Sequence, residues 1–589
     1  MKKSILSLLV LLVSALASAE ANSNLIVQVD AESAAKTFRG NWFCDQSGWV
    51  LGVYDSVVVA NNRIYSLEQV RERKRGVELT LRDKQSGQPQ VMLLTTRKDG
   101  SCRLVWEDEV CEITHNARQT KVVADSGYEQ FFRADTATLQ GFINGYDRSL
   151  GFETGIIYLK DLVADEITPT VVPIADDGTF FVCLPLQHPM SLNIRINDEW
   201  FPFFLEPGQT QTMYIDWGRV LACADSDDDT LPDSRTQYMG DAAHLSCVAQ
   251  ALSDCLDYDF SKFTRLMPTL TPTQFKEDLK GDADCWWQQS DSLEKIYGAS
   301  RKAVKLIRQA VPLKEGFLLY YYLRYRPFFA RRSPENEVLK VPVTVDFYDF
   351  LRRMPLDDPE VLASEYADCF LDELELMPGF TREYVEKDKP FLWQVAEIRR
   401  TKGDLTDQET YGTLQNYKER QKERLKDYPY LSATVDKIYT GLQAELRAKS
   451  YELPEGEGAD IFRRIIKEHE GKVLVVDFWG SWCGYCRAQF EATAELRRRY
   501  KVHPDCMFIN ITGESESPRS EYDAYVDEFL RGEPSYYLSE KEFNYLRQLF
   551  KFNSNRHYEL VEKDGTISRE RVDVNSLGSY LNERFPLGD

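Results

Sequence analysis

The chain has 589 residues, 43% of them hydrophobic, and a formal net charge of -22 at pH 7. That length supports about three or four domains, each with its own core. An acidic surface of this size repels polyanions, which excludes nucleic acid and anionic membrane as natural ligands.

The first element is Lys2-Lys3 followed by an apolar run from Ile5 to Leu16 and by Ala17-Ser18-Ala19 before Glu20. This reads as a secretory signal, residues 1–19, cleaved after Ala19. No cysteine follows the cleavage point, so a lipoprotein anchor is not indicated. Later segments fall short of the ~20 apolar residues of a membrane span. The richest of them, Phe317 to Phe329, is interrupted by Arg324 and Arg326 and reads as a buried aromatic helix. The expected mature protein is exported, periplasmic and without a membrane span.

Residues 24–133 read as a small β module, with alternation at Val77, Leu79 and Leu81 and a Lys98-Asp99-Gly100 turn. Cys102 and Cys111 flank a hairpin around Trp106 and are candidate cross-strand partners. Residues 136–220 read as a second, sandwich-like β module, alternating at Leu192, Ile194 and Ile196 and turning at Asp176-Asp177-Gly178 and Glu206-Pro207-Gly208. From 241 to 450 the period becomes helical, as at Leu431, Val435, Ile438, Leu442 and Leu446. Pro268, Pro272, Pro327, Pro355 and Pro429 divide this region into several helices. The stretch 451–458 contains Leu453-Pro-Glu-Gly-Glu-Gly458 and reads as a linker. The fold class is therefore multidomain: N-terminal all-β modules, a central α-helical region and a C-terminal α/β domain over 459–589.

In that last domain the apolar run Val473–Trp479 leads through Gly480-Ser481-Trp482 into Cys483-Gly484-Tyr485-Cys486. A strand that feeds a Cys-x-x-Cys pair opening a helix is the layout of a dithiol redox site. The attacking species in thiol–disulfide exchange is the thiolate, and helix N-terminal N–H groups stabilise it. Cys483 is the candidate attacking thiol at that terminus. Cys486, one turn along, is the candidate resolving thiol. Asp477, between Val476 and Phe478, is a carboxylate whose pKa desolvation would raise, which suits a proton acceptor. Zinc needs about four ligands, and no second closely spaced Cys/His group lies in this region, so no metal or other cofactor is expected.

The segment Lys472–Arg487 resembles the thioredoxin superfamily, and within it the TlpA/ResA-like thiol–disulfide oxidoreductases of bacterial envelopes, of the large multidomain type. The resemblance implies a thioredoxin fold, a redox-active disulfide between Cys483 and Cys486, a proton-relaying Asp477 and the tryptophan beside the nucleophile, Trp482. It also implies a protein disulfide as substrate and a membrane-borne thiol as electron donor. The sequence departs from the family where a cis-proline loop is expected opposite the dithiol. There it reads Asn555-Arg556-His557, with Arg556 in place of proline. A non-proline cis bond costs about 3 kcal/mol, so a trans bond and a reshaped loop are expected. Arg556 would then set a cation, and His557 a polar group, near Cys483. Two other readings stay open on sequence alone: a binding or scaffold protein with a redox-inert thioredoxin-like domain, and a metal-binding relative.

Overall fold

The computed structural model describes residues 38–97, 101–106, 109–224, 235–375, 390–408, 411–554, 557–570 and 574–586. The signal segment 1–19, the Lys98-Asp99-Gly100 turn, Asn555 and Arg556 lie outside the described residues.

Eight strands between Gly40–Cys44 and Glu109–Ile113 follow one another in sequence order as an antiparallel meander. Phe43 and Thr114 exchange backbone hydrogen bonds of 2.8 and 2.9 Å, which joins the first strand to the residue after the last and closes the sheet on itself. The alternating Val77, Leu79 and Leu81 all point into the interior, with Met92 and Leu94 from the next strand. The register sets Cys102 opposite Ile113 and Cys111 opposite Leu104. The two cysteines are thus diagonal neighbours and not the facing partners expected; diagonal positions lie about 7–8 Å apart, beyond an unstrained disulfide.

Two four-stranded sheets make the next body. One orders Glu166–Pro173, Thr154–Asp161, Met190–Ile196 and Glu199–Leu205; the other orders Thr179–Leu186, Asp135–Asn144, Thr210–Asp216 and Thr236–Met239. Leu139, Ile157, Ile194, Phe203, Met213 and Ile215 meet between them. The strand Thr236–Met239 extends the module past the boundary at 220, because a four-residue strand carries too little alternation to be recognised. Tyr54 of the meander stacks on Tyr214 of the sandwich at 5.6 Å, so the two β bodies share an aromatic seam.

Helices fill the region from Ala243 to Arg447, the longest being Pro272–Tyr297 and Arg301–Arg332. Pro272 and Pro429 start helices, as their missing N–H allows. Pro327 does not divide the region as expected, for it lies inside Arg301–Arg332. That turn is held from outside: the buried Arg326 donates to the Tyr322 hydroxyl at 2.7 Å and to the carbonyls of Leu339 and Val341, each at 2.9 Å. No helix among the described residues is long and apolar enough to cross a membrane.

The C-terminal body is a six-stranded sheet in the order Ser450–Tyr451, Ile567–Ser568, His557–Val561, Val473–Phe478, Cys506–Gly513, Ser535–Leu538. The last three are parallel to one another, and His557–Val561 runs antiparallel to Val473–Phe478. Helices Glu457–Ile466 and Glu540–Phe550 cover one face, and Gly484–Tyr500 and Val574–Arg584 cover the other. The strand Ser535–Leu538 carries no sequence period of its own, so it is not marked by alternation. The linker is shorter than 451–458. Tyr451 pairs with Ile567, and Gly458 is already helical, where a Cβ would lie 2.6 Å from the Tyr545 carbonyl oxygen.

This body is docked on the sandwich through the outer side of helix Glu540–Phe550. Gln548 Oε1 accepts the Val171 N–H at 2.7 Å, Asn544 Nδ2 donates to Thr154 Oγ1 at 3.2 Å, and Arg547 donates to the Tyr158 hydroxyl. Lys541 and Glu153 add an ion pair at 3.4 Å.

Candidate active site

Val473–Phe478 is buried along its whole length between the two helical layers and ends at Trp479. The chain then turns and the helix Gly484–Tyr500 begins, with Cys483 as its N-cap at φ -80° and ψ 95°. The Cys486 N–H donates to Cys483 Sγ at 3.1 Å, so the sulfur occupies the place of a capping oxygen. A sulfur there receives the helix N–H groups and the positive end of the dipole, both of which favour thiolate.

The two thiols differ in environment. Cys483 is 5% exposed and Cys486 is fully buried. The hydrogen bond with Cys483, then burial, then the nearby charges of Cys483 and Asp477 push the Cys486 thiol far above the ordinary thiol range. Gly484 and Tyr485 lie between them on the surface, Tyr485 59% exposed, and Trp482 is 65% exposed beside Cys483. Beneath the pair, Trp479 packs on Phe490, Tyr522 and Tyr525, with ring centroids 5.6, 6.1 and 5.3 Å apart.

The loop before the dithiol is strapped by the turn that follows Cys506–Gly513. The Ser481 N–H donates to Glu516 O at 3.1 Å and to Ser517 Oγ at 3.0 Å. Thr512 donates to the Trp479 carbonyl at 2.7 Å, and the Tyr525 hydroxyl donates to the Ser481 carbonyl at 3.0 Å. Trp482 Nε1 donates to Glu516 Oε2 at 3.0 Å.

Asp477 is fully buried, as its strand position requires. Arg497, on the inner face of the dithiol helix, forms a buried ion pair with it. The same guanidinium donates to Asn510 Oδ1 at 3.0 Å and Glu533 Oε2 at 2.6 Å, and lies over the Phe508 ring at 4.5 Å. A permanent cation thus sits on the Asp477 carboxylate. His557, expected near the thiols, stacks on Phe552 at 4.6 Å and bonds Glu559 at 2.7 Å.

Arg497, Glu516 and Arg547 escaped the sequence reading. Only Arg497 had a signal there, since it falls on the inward face marked by Cys486, Phe490 and Thr493. Among the described residues no group of three or more His, Cys, Asp or Glu side chains is placed to hold a metal ion.

A parallel three-stranded core, an antiparallel strand on its flank, helices on both faces and a dithiol capping the helix after the first core strand define a thioredoxin-like fold for the C-terminal body. No family model matches the chain. An M-type chloroplastic thioredoxin from Chlamydomonas reinhardtii is 40% identical over 63 residues, 11% of this chain and 44% of that protein, so the chain spans less than half the length of this curated relative. Among solved structures, the thioredoxin domain of a thiol-disulfide oxidoreductase from Bacteroides vulgatus aligns at 15% identity and TM-score 0.19, covering 20% of this chain and 83% of its own. A secreted Mycobacterium tuberculosis disulfide oxidoreductase aligns at 15% identity and TM-score 0.17, over 20% of this chain and 85% of its own.

Proposed function

We propose that the protein is an exported, periplasmic thiol–disulfide oxidoreductase that works as a disulfide reductase. The observation that carries this reading is the asymmetry of the dithiol: both thiols are buried, but only Cys483 Sγ caps the helix, where it takes the Cys486 N–H at 3.1 Å. Cys483 thiolate attacks one sulfur of a protein disulfide, forming a mixed disulfide and releasing the other sulfur as a thiolate that takes a proton. Cys486 then loses its proton, with Asp477 as the acceptor, and attacks Cys483 Sγ. The second substrate thiol leaves, and the Cys483–Cys486 disulfide holds the two electrons' worth of oxidation. A membrane-borne thiol donor returns the site to the dithiol by the same exchange in reverse.

Trapping tests the assignment. Cys486→Ala should accumulate mixed disulfides with protein substrates, because the resolving thiol is gone, and Cys483→Ala should not. Equal trapping by the two variants, resolved on non-reducing gels, would remove the basis for these roles.

A further inference from the structure

Trp482 is the large side chain next to the attacking cysteine, and its ring is 65% exposed. An aromatic surface in that position touches any polypeptide joined to Cys483, so its orientation bears on docking. The indole does not swing freely, for Nε1 is held by Glu516 Oε2 at 3.0 Å. Glu516 is itself 1% exposed, and burying a carboxylate is costly without cations beside it. Two arginines supply them. Arg547 Nη2 donates to Oε1 at 2.5 Å, and Arg195 Nη1 reaches the same oxygen at 3.5 Å.

Neither arginine belongs to the dithiol loop. Arg547 comes from the docking helix, where it also bonds the Tyr158 hydroxyl of the sandwich and lies 3.5 Å from the Asn553 carbonyl, two residues before Asn555. Arg195 comes from the sandwich strand Met190–Ile196 and is braced by an ion pair with Asp198. An unbroken line of hydrogen bonds thus runs from the β-sandwich through Arg195 and Glu516 to the indole beside Cys483.

Resting on the dithiol reading above, we infer that Arg195 is a positioning residue of this site, acting through Glu516 on Trp482, and that the docked sandwich sets how a protein substrate meets the thiol. Without Arg195, Glu516 keeps Arg547 and its charge stays compensated, but its carboxylate is no longer fixed from the sandwich side. Asp198 loses a partner at small cost because it is mostly solvated.

The full-length chain labelled with 5-fluorotryptophan provides the test, with Trp482→Phe assigning the Trp482 fluorine resonance. Arg195→Leu should move that resonance and lower kcat/KM for insulin disulfides about tenfold, mostly through KM. Arg195→Lys should recover part of both. Lys541→Ala cuts the ion pair with Glu153 in the same interface without touching Glu516, and should leave the resonance in place. An unmoved resonance in Arg195→Leu, or an equal movement in Lys541→Ala, would overturn the inference. Failure of the unmutated chain to reduce insulin would instead overturn the reductase reading, and the resonance comparison would still decide the tether.

Discussion

Replacing Arg497 by Met should strand two acids at once. Arg497 and Asp477 are both buried, and the guanidinium also serves Asn510 and Glu533, itself little exposed. Removing one partner of a buried pair costs about 3–5 kcal/mol, because the other charge is left in a low-dielectric site. Met fills much of the same volume, so the loss is electrostatic and not a cavity effect. Asp477→Asn should be milder, about 1–3 kcal/mol, since Arg497 keeps Glu533 and the amide oxygen still accepts. The double variant Asp477→Asn/Arg497→Met should cost less than the sum of the two. Hydrogen exchange of peptides covering Val473–Phe478 reads the local free energy without assuming that a multidomain chain unfolds in one step. A change below about 1 kcal/mol in Arg497→Met would refute the claim that this pair carries the centre of the sheet.

Glu540 lies at the start of the docking helix, where burial first and then the charge of Asp198 raise its pKa from 4.5 to about 7. A raised acid favours the folded state below its unfolded value and loses that advantage as pH climbs through the folded one. Docking should thus weaken between pH 4.5 and about 7 by up to roughly 3 kcal/mol, and Glu540→Gln should abolish the trend in hydrogen exchange of Glu540–Phe550. Limited proteolysis should nick between Glu452 and Gly456, the residues left between Tyr451 and the next helix, yet the two fragments should co-elute on size exclusion because Arg547, Gln548 and Asn544 still bind the sandwich. Separation of the fragments at neutral pH would mean the interface does not hold alone. Gly458→Val should lower stability by about 1–3 kcal/mol, since any Cβ there collides with the Tyr545 carbonyl and Val cannot yield; an unchanged melting profile would show that the two helices can move apart.

The dithiol was legible because its chemistry is local: a six-residue strand apolar at every position but Asp477, a short turn and two cysteines one helical turn apart all lie within Val473–Cys486. Asp477 was found for the same reason, but its partner was not. Arg497 sits 20 residues on, and only its place on the buried stripe with Cys486, Phe490 and Thr493 marks it as an inward cation. Period alone gave the class of each region, since alternation and helical spacing reflect which face is buried. It could not give the closure of the meander through Phe43 and Thr114, which depends on sheet curvature. Nor could it give Glu516 or Arg195, two polar residues in unremarkable contexts that meet 321 positions apart only after the domains dock.

The contact between Gln548 and Val171 also bears on solubility. Glu166–Pro173 is an edge strand, and Pro169, Val171 and Pro173 share the side that faces away from Thr154–Asp161. Two of these positions are prolines and have no N–H to offer another chain; the donor between them is taken by Gln548. Removing the C-terminal body would expose that donor at the rim of a folded sheet, and a fragment ending near Arg447 would carry a template for intermolecular strand pairing that the intact chain keeps covered.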